Sequence, residues 1–175
     1  NLFTADLYQM YLPWYTFSAQ SLRSMQLPLW FPYAGAGIPF MATPSTALFY
    51  PINVLFLFLS AAAAMGFHAI FHLSLAGVGT YFFCRTHGFS RYASIFSGAA
   101  YLVSSTVWMN YNNPHYLAGV TWLPAVFFFG EQVRKEPSLV HVLLLALTLS
   151  LQFLSGASQF FLYSRSLMRQ IGRTS

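Results

Sequence analysis

Residues 143–154 read LLLALTLSLQFL, an unbroken apolar run without alternation of apolar and polar positions. Uncharged stretches recur along the chain, because no Asp, Glu, Lys or Arg occurs within residues 24–84, 92–130 or 137–164. A membrane-crossing helix needs about 20 mostly apolar residues, so each stretch can hold at least one. Inside a bilayer only helices and closed barrels satisfy their backbone hydrogen bonds, and barrel strands alternate. The predicted fold class is therefore all-α, a polytopic transmembrane helical bundle.

The composition excludes a soluble globular domain. Only 6% of the residues are charged and 57% are hydrophobic, whereas about 25% of residues are charged in soluble domains. The net charge of +5 does not indicate nucleic-acid binding, since the basic residues lie in short loops between apolar runs. Cys84 is the single cysteine, so no intrachain disulfide is expected. The chain starts at Asn1 without a signal-peptide pattern and is expected to be an internal fragment.

The first 63 residues are predicted to stay outside the bilayer core. Residues 1–47, rich in proline and aromatic residues, are expected to form a large extracytoplasmic loop that carries an amphipathic interfacial helix. Asp6 and Gln9 have the spacing of a capping box, and a bend is expected at Pro13. Residues 48–63 are predicted to form an interfacial or re-entrant helix, although two short spans within 48–84 are an alternative reading.

Residues 64–163 are predicted to form the transmembrane bundle. Its four spans are placed at about 64–84, 92–109, 116–131 and 138–158. In the second span, Ser94 and Gly98 predict close helix packing through small residues. Residues 164–175 form a basic tail, interpreted as truncated or non-native.

The basic residues assign the loops to the two sides of a plasma membrane. Loops 85–91 and 131–137 contain Lys and Arg and are predicted to be cytoplasmic, because such loops collect positive charge. The segment 1–47, the loop 109–116 and the break at 155–159 are then extracytoplasmic. Since three polar segments converge on that face, we expect the functional site there.

Three ionisable residues are candidates for chemistry or metal binding. Asp6 is the one acidic residue on the predicted outer side, where it can cap a helix, act as a general base or hold a divalent cation. His68 and His72 have the i, i+4 spacing of a metal pair. No third ligand is evident for them, and buried neutral histidines are the commoner alternative.

Other side chains predict ligand binding at the outer face. His115, Asn112 and Asn113 can contact a polar or phosphorylated ligand, or form solvated Asn-rich turns. Trp30 and Tyr33 can stack on a sugar ring or belong to an aromatic belt at the membrane interface. A polar stripe along the fourth span predicts either interhelical hydrogen bonds or a cavity lining; its members are Thr148, Gln152, Ser155 and Gln159.

The run DLYQMYLPWYTFSAQSLRSMQLPLWFPYAGAGIPFMATPSTALFYPINVLF, residues 6–56, resembles the first extracytoplasmic loop of the bacterial YfhO family. LAGVGTYFFCRTHGFSRYASIFSGAAY (75–101), HYLAGVTWLP (115–124) and LQFLSGASQ (151–159) continue the resemblance in order. Family members resemble GT-C glycosyltransferases. The resemblance implies a GT-C-like fold, a polyprenyl-phosphate-linked sugar donor, and transfer on the extracytoplasmic face to an envelope polymer or lipid acceptor.

The resemblance also assigns residues to roles. Asp6 matches the acidic residue that opens the first outer loop and serves as catalytic base or metal-site residue, with Mg or Mn as the expected cation. His115 matches an outer-loop histidine. Gln159 ends a segment where the family has a Gly-His-Pro-Gln-like run, here without the histidine. Arg23, His115 and the two asparagines are hypothesised to contact the donor phosphate. The competing class is a lipid-linked substrate transporter or an envelope-assembly scaffold without enzymatic activity.

Overall fold

The chain is all-α, as predicted. A computed structural model describes residues 6–174, with side chains through residue 169. A π-helical turn, Leu7–Tyr11, continues into α1, and 3₁₀ helices lie at Pro44–Thr46 and Pro51–Leu57. The α-helices are α1 Leu12–Arg23, α2 Ala61–Thr86, α3 Arg91–Leu102, α4 Ser105–Asn110, α5 Pro114–Thr121, α6 Leu123–Lys135, α7 Leu139–Leu154 and α8 Ser158–Thr174.

The amphipathic helix forms where it was predicted, but its start differs from a capping box. Asp6 already has helical backbone angles, φ −62° and ψ −39°, and its side chain makes no capping hydrogen bond. The Asp6 carboxylate therefore does not accept a hydrogen bond from the N–H groups at the start of this helix. Pro13 lies where the π-helical turn Leu7–Tyr11 passes into α1, so the helix irregularity expected at this proline takes the form of a π-helical turn. Residues 1–5 of the predicted outer segment lie outside the described residues.

The apolar face of α1 packs against the segment that follows it. Residues 26–40 have no regular element beyond one pair of backbone hydrogen bonds between Phe31 and Ile38. Their aromatic side chains instead cover α1, with Phe17 5.4 Å from Phe40 between ring centroids. The shared core of this outer segment consists of Tyr11, Trp14, Tyr15, Ala19, Phe31, Phe40, Phe56 and Ala64.

The long helix α2 has the reverse of the polarity found in a soluble core helix. Its buried residues are small or polar: Ala64, His68, His72, Ala76 and Gly79. Large apolar side chains on its other faces are exposed, namely Phe67, Ile70, Phe71, Val78 and Phe82. Small buried residues let neighbouring helices approach closely, while the apolar exterior suits hydrocarbon better than water.

The predicted contact through Ser94 and Gly98 is confirmed. Both residues are buried on α3. A Cβ added at Gly98 would lie 2.9 Å from the Gly77 carbonyl oxygen on α2, so the two backbones touch at this point.

The predicted spans match the helices only in part. By length and composition, α2 is the one helix within residues 6–174 able to cross a membrane, and α7 is apolar but shorter. The segment 48–84 holds one long helix rather than two short spans, preceded by the 3₁₀ helix at Pro51–Leu57. The span predicted at 92–109 is divided between α3 and α4, and that at 116–131 between α5 and α6. Helix α8 begins at Ser158, within the predicted break at 155–159, and runs through the basic tail to Thr174.

The division between α5 and α6 results from Pro124, whose ring nitrogen has no hydrogen to donate to the Val120 carbonyl. The Tyr101 hydroxyl on α3 donates to that carbonyl oxygen instead, at 2.9 Å. Gln152 on α7 donates to the adjacent Gly119 carbonyl at 3.0 Å. Neighbouring helices thus satisfy the carbonyls exposed by the kink, as they must in an apolar medium. At Gln152 this confirms the prediction that the polar stripe forms interhelical hydrogen bonds.

The two predicted cytoplasmic loops lie together. Glu131 lies 2.5 Å from the Arg134 guanidinium and 3.9 Å from the His87 ring nitrogen, joining α6 to the α2–α3 turn. Lys135 donates a hydrogen bond to the Thr86 carbonyl oxygen. This end of the bundle is called the basic pole below.

A directed hydrogen-bond chain attaches the outer segment to the bundle. His72 Nδ1 lies 2.7 Å from the His68 carbonyl oxygen, so it carries the proton, and His72 Nε2 accepts at 2.7 Å from the Tyr50 hydroxyl. The same Tyr50 oxygen accepts from Trp122 Nε1–H at 2.8 Å. One phenol therefore joins the outer segment, α2 and the α5–α6 junction. Because both ring nitrogens of His72 are hydrogen-bonded, neither is free to bind a metal. The structure therefore does not support a metal site at His68 and His72.

Replacing Tyr50 by Phe should destabilise the chain more than removing the hydroxyl group of an exposed tyrosine does. Trp122 Nε1–H and His72 Nε2 would both remain buried without a partner, at an expected cost of about 2–5 kcal/mol of unfolding free energy. Unfolding of the detergent-solubilised chain followed by tryptophan fluorescence measures this change. Tyr92→Phe is the matched control, since Tyr92 is 87% exposed and should change stability by no more than about 0.5 kcal/mol. Equal effects of the two substitutions would contradict the role of Tyr50.

Candidate functional site

The three segments predicted to be extracytoplasmic meet at one end of the molecule, opposite the basic pole. The Tyr11 ring lies 5.1 Å from the His115 ring, joining the first helix to the loop 109–116. The turn at 155–159 packs on the outer segment through Gly156, which has φ +90°. A Cβ there would lie 2.3 Å from the Pro44 carbonyl oxygen, so only glycine allows this approach. We call this end the outer pole.

Tyr11 is the residue around which the candidate site is built. It is buried between Trp14, at 6.0 Å between ring centroids, and His115. Burial, then the neighbouring Asp6 carboxylate and the Tyr116 phenol, raise the pKa of Tyr11 to about 12. The phenol is therefore protonated at neutral pH. Tyr11 thus has Asp6, one π-helical turn earlier in the chain, and His115, from a distant part of the chain, as neighbours.

His115 is a buried imidazole with unused hydrogen-bonding capacity. Its side chain is 3% exposed, and its ring stacks on Tyr116 at 4.0 Å. Nδ1 has no hydrogen-bond partner among the described residues. Burial lowers the pKa of His115 to about 4, so the ring is neutral at pH 7. A neutral ring offers one donor and one acceptor to a hydroxyl-bearing ligand.

A cavity of about 120 Å³ adjoins this cluster between the π-helical turn, α2 and α5. Its walls are mainly apolar, with the buried His68 as the imidazole in the lining and Tyr111 as a phenol. The complete lining is Leu7, Met65, Gly66, His68, Ala69, Tyr111, Pro114 and Leu117. Leu7 and Pro114, the sequence neighbours of Asp6 and His115, line this small uncharged cavity, but Asp6 and His115 themselves do not.

Arg23 lies far from this cluster. It ends the helix that Asp6 begins, about 25 Å away at 1.5 Å per residue. Its guanidinium donates to the Leu57 carbonyl at 2.8 and 3.0 Å and to the Phe56 carbonyl at 3.2 Å. Arg23 therefore caps the 3₁₀ helix at Pro51–Leu57, and the structure does not bring it together with Asp6.

The predicted aromatic residues lie on a separate face of α1. Trp30 covers Gly37, where an added Cβ would lie 2.3 Å from the indole nitrogen. Tyr33 is 79% exposed and borders an open groove of about 420 Å³ along α1 with Tyr8 and Gln20. These rings are available for stacking, but the groove does not include Asp6 or His115.

The remaining predicted residues lie at the outer pole with little contact to the site. Asn113 precedes α5 without capping it, and Asn112 beside it is half-buried. Gln159 is exposed on the first turn of α8, whereas Gln152 is fully buried. Local sequence patterns do not identify Tyr11 as the central residue, because its role depends on contact with a histidine more than 100 residues away.

A divalent cation at Asp6 stays a prediction. Among the described residues, no three His, Cys, Asp or Glu side chains form a group that could hold a metal ion. Asp6 supplies one carboxylate. Mg²⁺ at phosphate sites commonly takes one or two protein carboxylates and completes its shell with waters and substrate oxygens.

Comparisons with protein-family models, curated proteins and solved structures give no match for this chain. The likeness to the YfhO family therefore stays a prediction from the sequence.

His115 should make the free energy of unfolding of the chain decrease as the pH falls below about 6.5. The folded chain binds a proton at His115 only near pH 4, whereas the unfolded chain binds one near pH 6.5. The stabilisation is present above pH 6.5 and is lost as the pH falls towards 4, by about 3 kcal/mol at pH 4.

Unfolding free energies of the wild type and His115→Gln between pH 7.5 and 4 measure this contribution. The variant should lose less stability on acidification than the wild type. Parallel pH profiles would contradict a neutral, buried His115.

Proposed function

We propose that this chain is part of a multi-pass membrane protein that transfers a sugar from a polyprenyl-phosphate donor to an envelope polymer or lipid. The observation that carries the proposal is the contact between the Tyr11 and His115 rings on the outer pole, with the Asp6 carboxylate near enough to Tyr11 to raise the pKa of its phenol. A carboxylate and a neutral imidazole that both neighbour one phenol are suitable groups for acid–base chemistry on a hydroxyl group.

The distribution of polarity supports a multi-pass arrangement. On α7, Thr148 and Gln152 are buried, while Leu139, Leu143 and Leu147 are more than half exposed. On α8, Ser164 is buried. Such an inverted pattern recurs in α2 and α3 and would leave a large apolar surface in water. In the proposed arrangement α2, α3 with α4, α6 with the part of α5 that follows His115, and α7 lie within the bilayer, with the helix breaks satisfied as at Pro124.

The proposed reaction uses the carboxylate of Asp6 as the base. Asp6 accepts the proton of the acceptor hydroxyl as that oxygen forms a bond to the anomeric carbon. The bond from the anomeric carbon to the donor phosphate oxygen breaks, and the phosphate leaves with the electron pair. His115 positions the hydroxyl through its ring Nδ1, which has no hydrogen-bond partner among the described residues. Asn112 and Asn113 are the candidate donors to the phosphate, because Arg23 is too far away.

Asp6→Asn in the full-length membrane protein should lower sugar transfer by at least about 100-fold, the contribution typical of a general base. The assay follows transfer of labelled sugar from a defined polyprenyl-phosphate donor by the purified protein. Expression and unfolding should remain unchanged, because the Asp6 side chain makes no capping bond in the fold.

Glu136→Gln is the matched control, since it removes an exposed carboxylate at the basic pole. It should leave transfer unaltered. Normal transfer by Asp6→Asn would exclude Asp6 as the base. Movement of the lipid-linked sugar across vesicles, without any transfer by the wild type, would favour the transporter class instead.

A further inference from the structure

The basic pole contains more positive charge than its own acidic residues neutralise. Arg134 and Lys135 both lie within 4.0 Å of Glu131, at 2.5 and 3.5 Å. Helix α8 brings further arginines to this pole. Met168 of α8 packs directly on Gly130, since a Cβ there would lie 1.6 Å from the Met168 methyl carbon. The last turns of α8 therefore lie beside Glu131 and Arg134.

Arg165 and Arg169 form an unpaired basic face on α8. Residues four apart share one side of a helix and lie about 6 Å apart along its axis. Both arginines are exposed, and neither has an acidic partner within the described part of the chain. Two neighbouring guanidinium groups without a carboxylate attract an anion, and their planar geometry suits a phosphate.

Leu162, three residues before Arg165, lies on the same side of α8 as the two arginines and is 55% exposed. A nucleic acid or an acidic protein surface would match the arginines but leave Leu162 in water. A phospholipid matches both, because its phosphate lies next to its acyl chains, and a basic amphipathic helix is the usual element for this contact.

We propose that Arg165 and Arg169 bind the phosphate headgroup of an anionic phospholipid at the basic pole. Leu162 contacts one of its acyl chains. Arg165 lies one turn further towards the bundle centre than Arg169, so its long side chain extends along the helix to reach the headgroup level. This binding surface depends on membrane residence but not on sugar transfer.

Lipid binding by the full chain in a neutral detergent tests the proposal, with native mass spectrometry as the readout. The probes are phosphatidylglycerol and phosphatidylcholine. The wild type should bind phosphatidylglycerol more tightly. Arg165→Gln combined with Arg169→Gln should weaken phosphatidylglycerol binding about 10- to 30-fold, at roughly 1 kcal/mol per arginine. Phosphatidylcholine binding should stay unchanged.

Arg91→Gln is the matched control for Arg169→Gln. Arg91 is also exposed and basic, but it begins α3, which packs on α2. Arg169→Gln should weaken phosphatidylglycerol binding and Arg91→Gln should not. Equal losses in the two single variants, or equal wild-type affinity for both lipids, would overturn the proposal. Displacement of phosphatidylglycerol by a single-stranded oligonucleotide at lower concentration would also overturn it.

Discussion

The Tyr50 hydroxyl group is the contact on which the arrangement of this chain depends. It donates to His72 and accepts from Trp122, so a single oxygen atom fixes the outer segment to two parts of the bundle. Both partners are buried, so loss of the phenol would leave their polar nitrogens unpaired in the interior, which is costly. At the other end of the outer segment, the π-helical turn contacts α5 through the Tyr11 and His115 rings.

The same requirement for internal hydrogen bonding explains the polar interior. Pro124 interrupts the helix at Trp122, and side chains from α3 and α7 take over the exposed carbonyls. In water such carbonyls would be solvated without help. Here polar groups are concentrated between helices and apolar groups outside them, which is the arrangement expected where the surrounding medium offers no hydrogen bonds.

The sequence predicts the helical class well, since long uncharged runs leave few alternatives. It also predicts α2 and α7 closely, along with the small-residue contact at Gly98. It does not predict the breaks at Val103 and Trp122, because apolar periodicity continues across them. Asp6 as a cap and Arg23 as a phosphate ligand were local interpretations. The backbone of Asp6 is already helical, and Arg23 binds a carbonyl more than 30 residues away. The spacing of nearby residues predicts neither of these features.

In the proposed arrangement the outer pole and the basic pole lie on opposite sides of a membrane. Single cysteines introduced into a Cys84→Ala background test it, at the exposed positions Tyr8→Cys and Glu136→Cys. A membrane-impermeant maleimide should label the first in intact cells and the second only after permeabilisation. Labelling of both positions in intact cells, or of Glu136→Cys alone, would contradict the account.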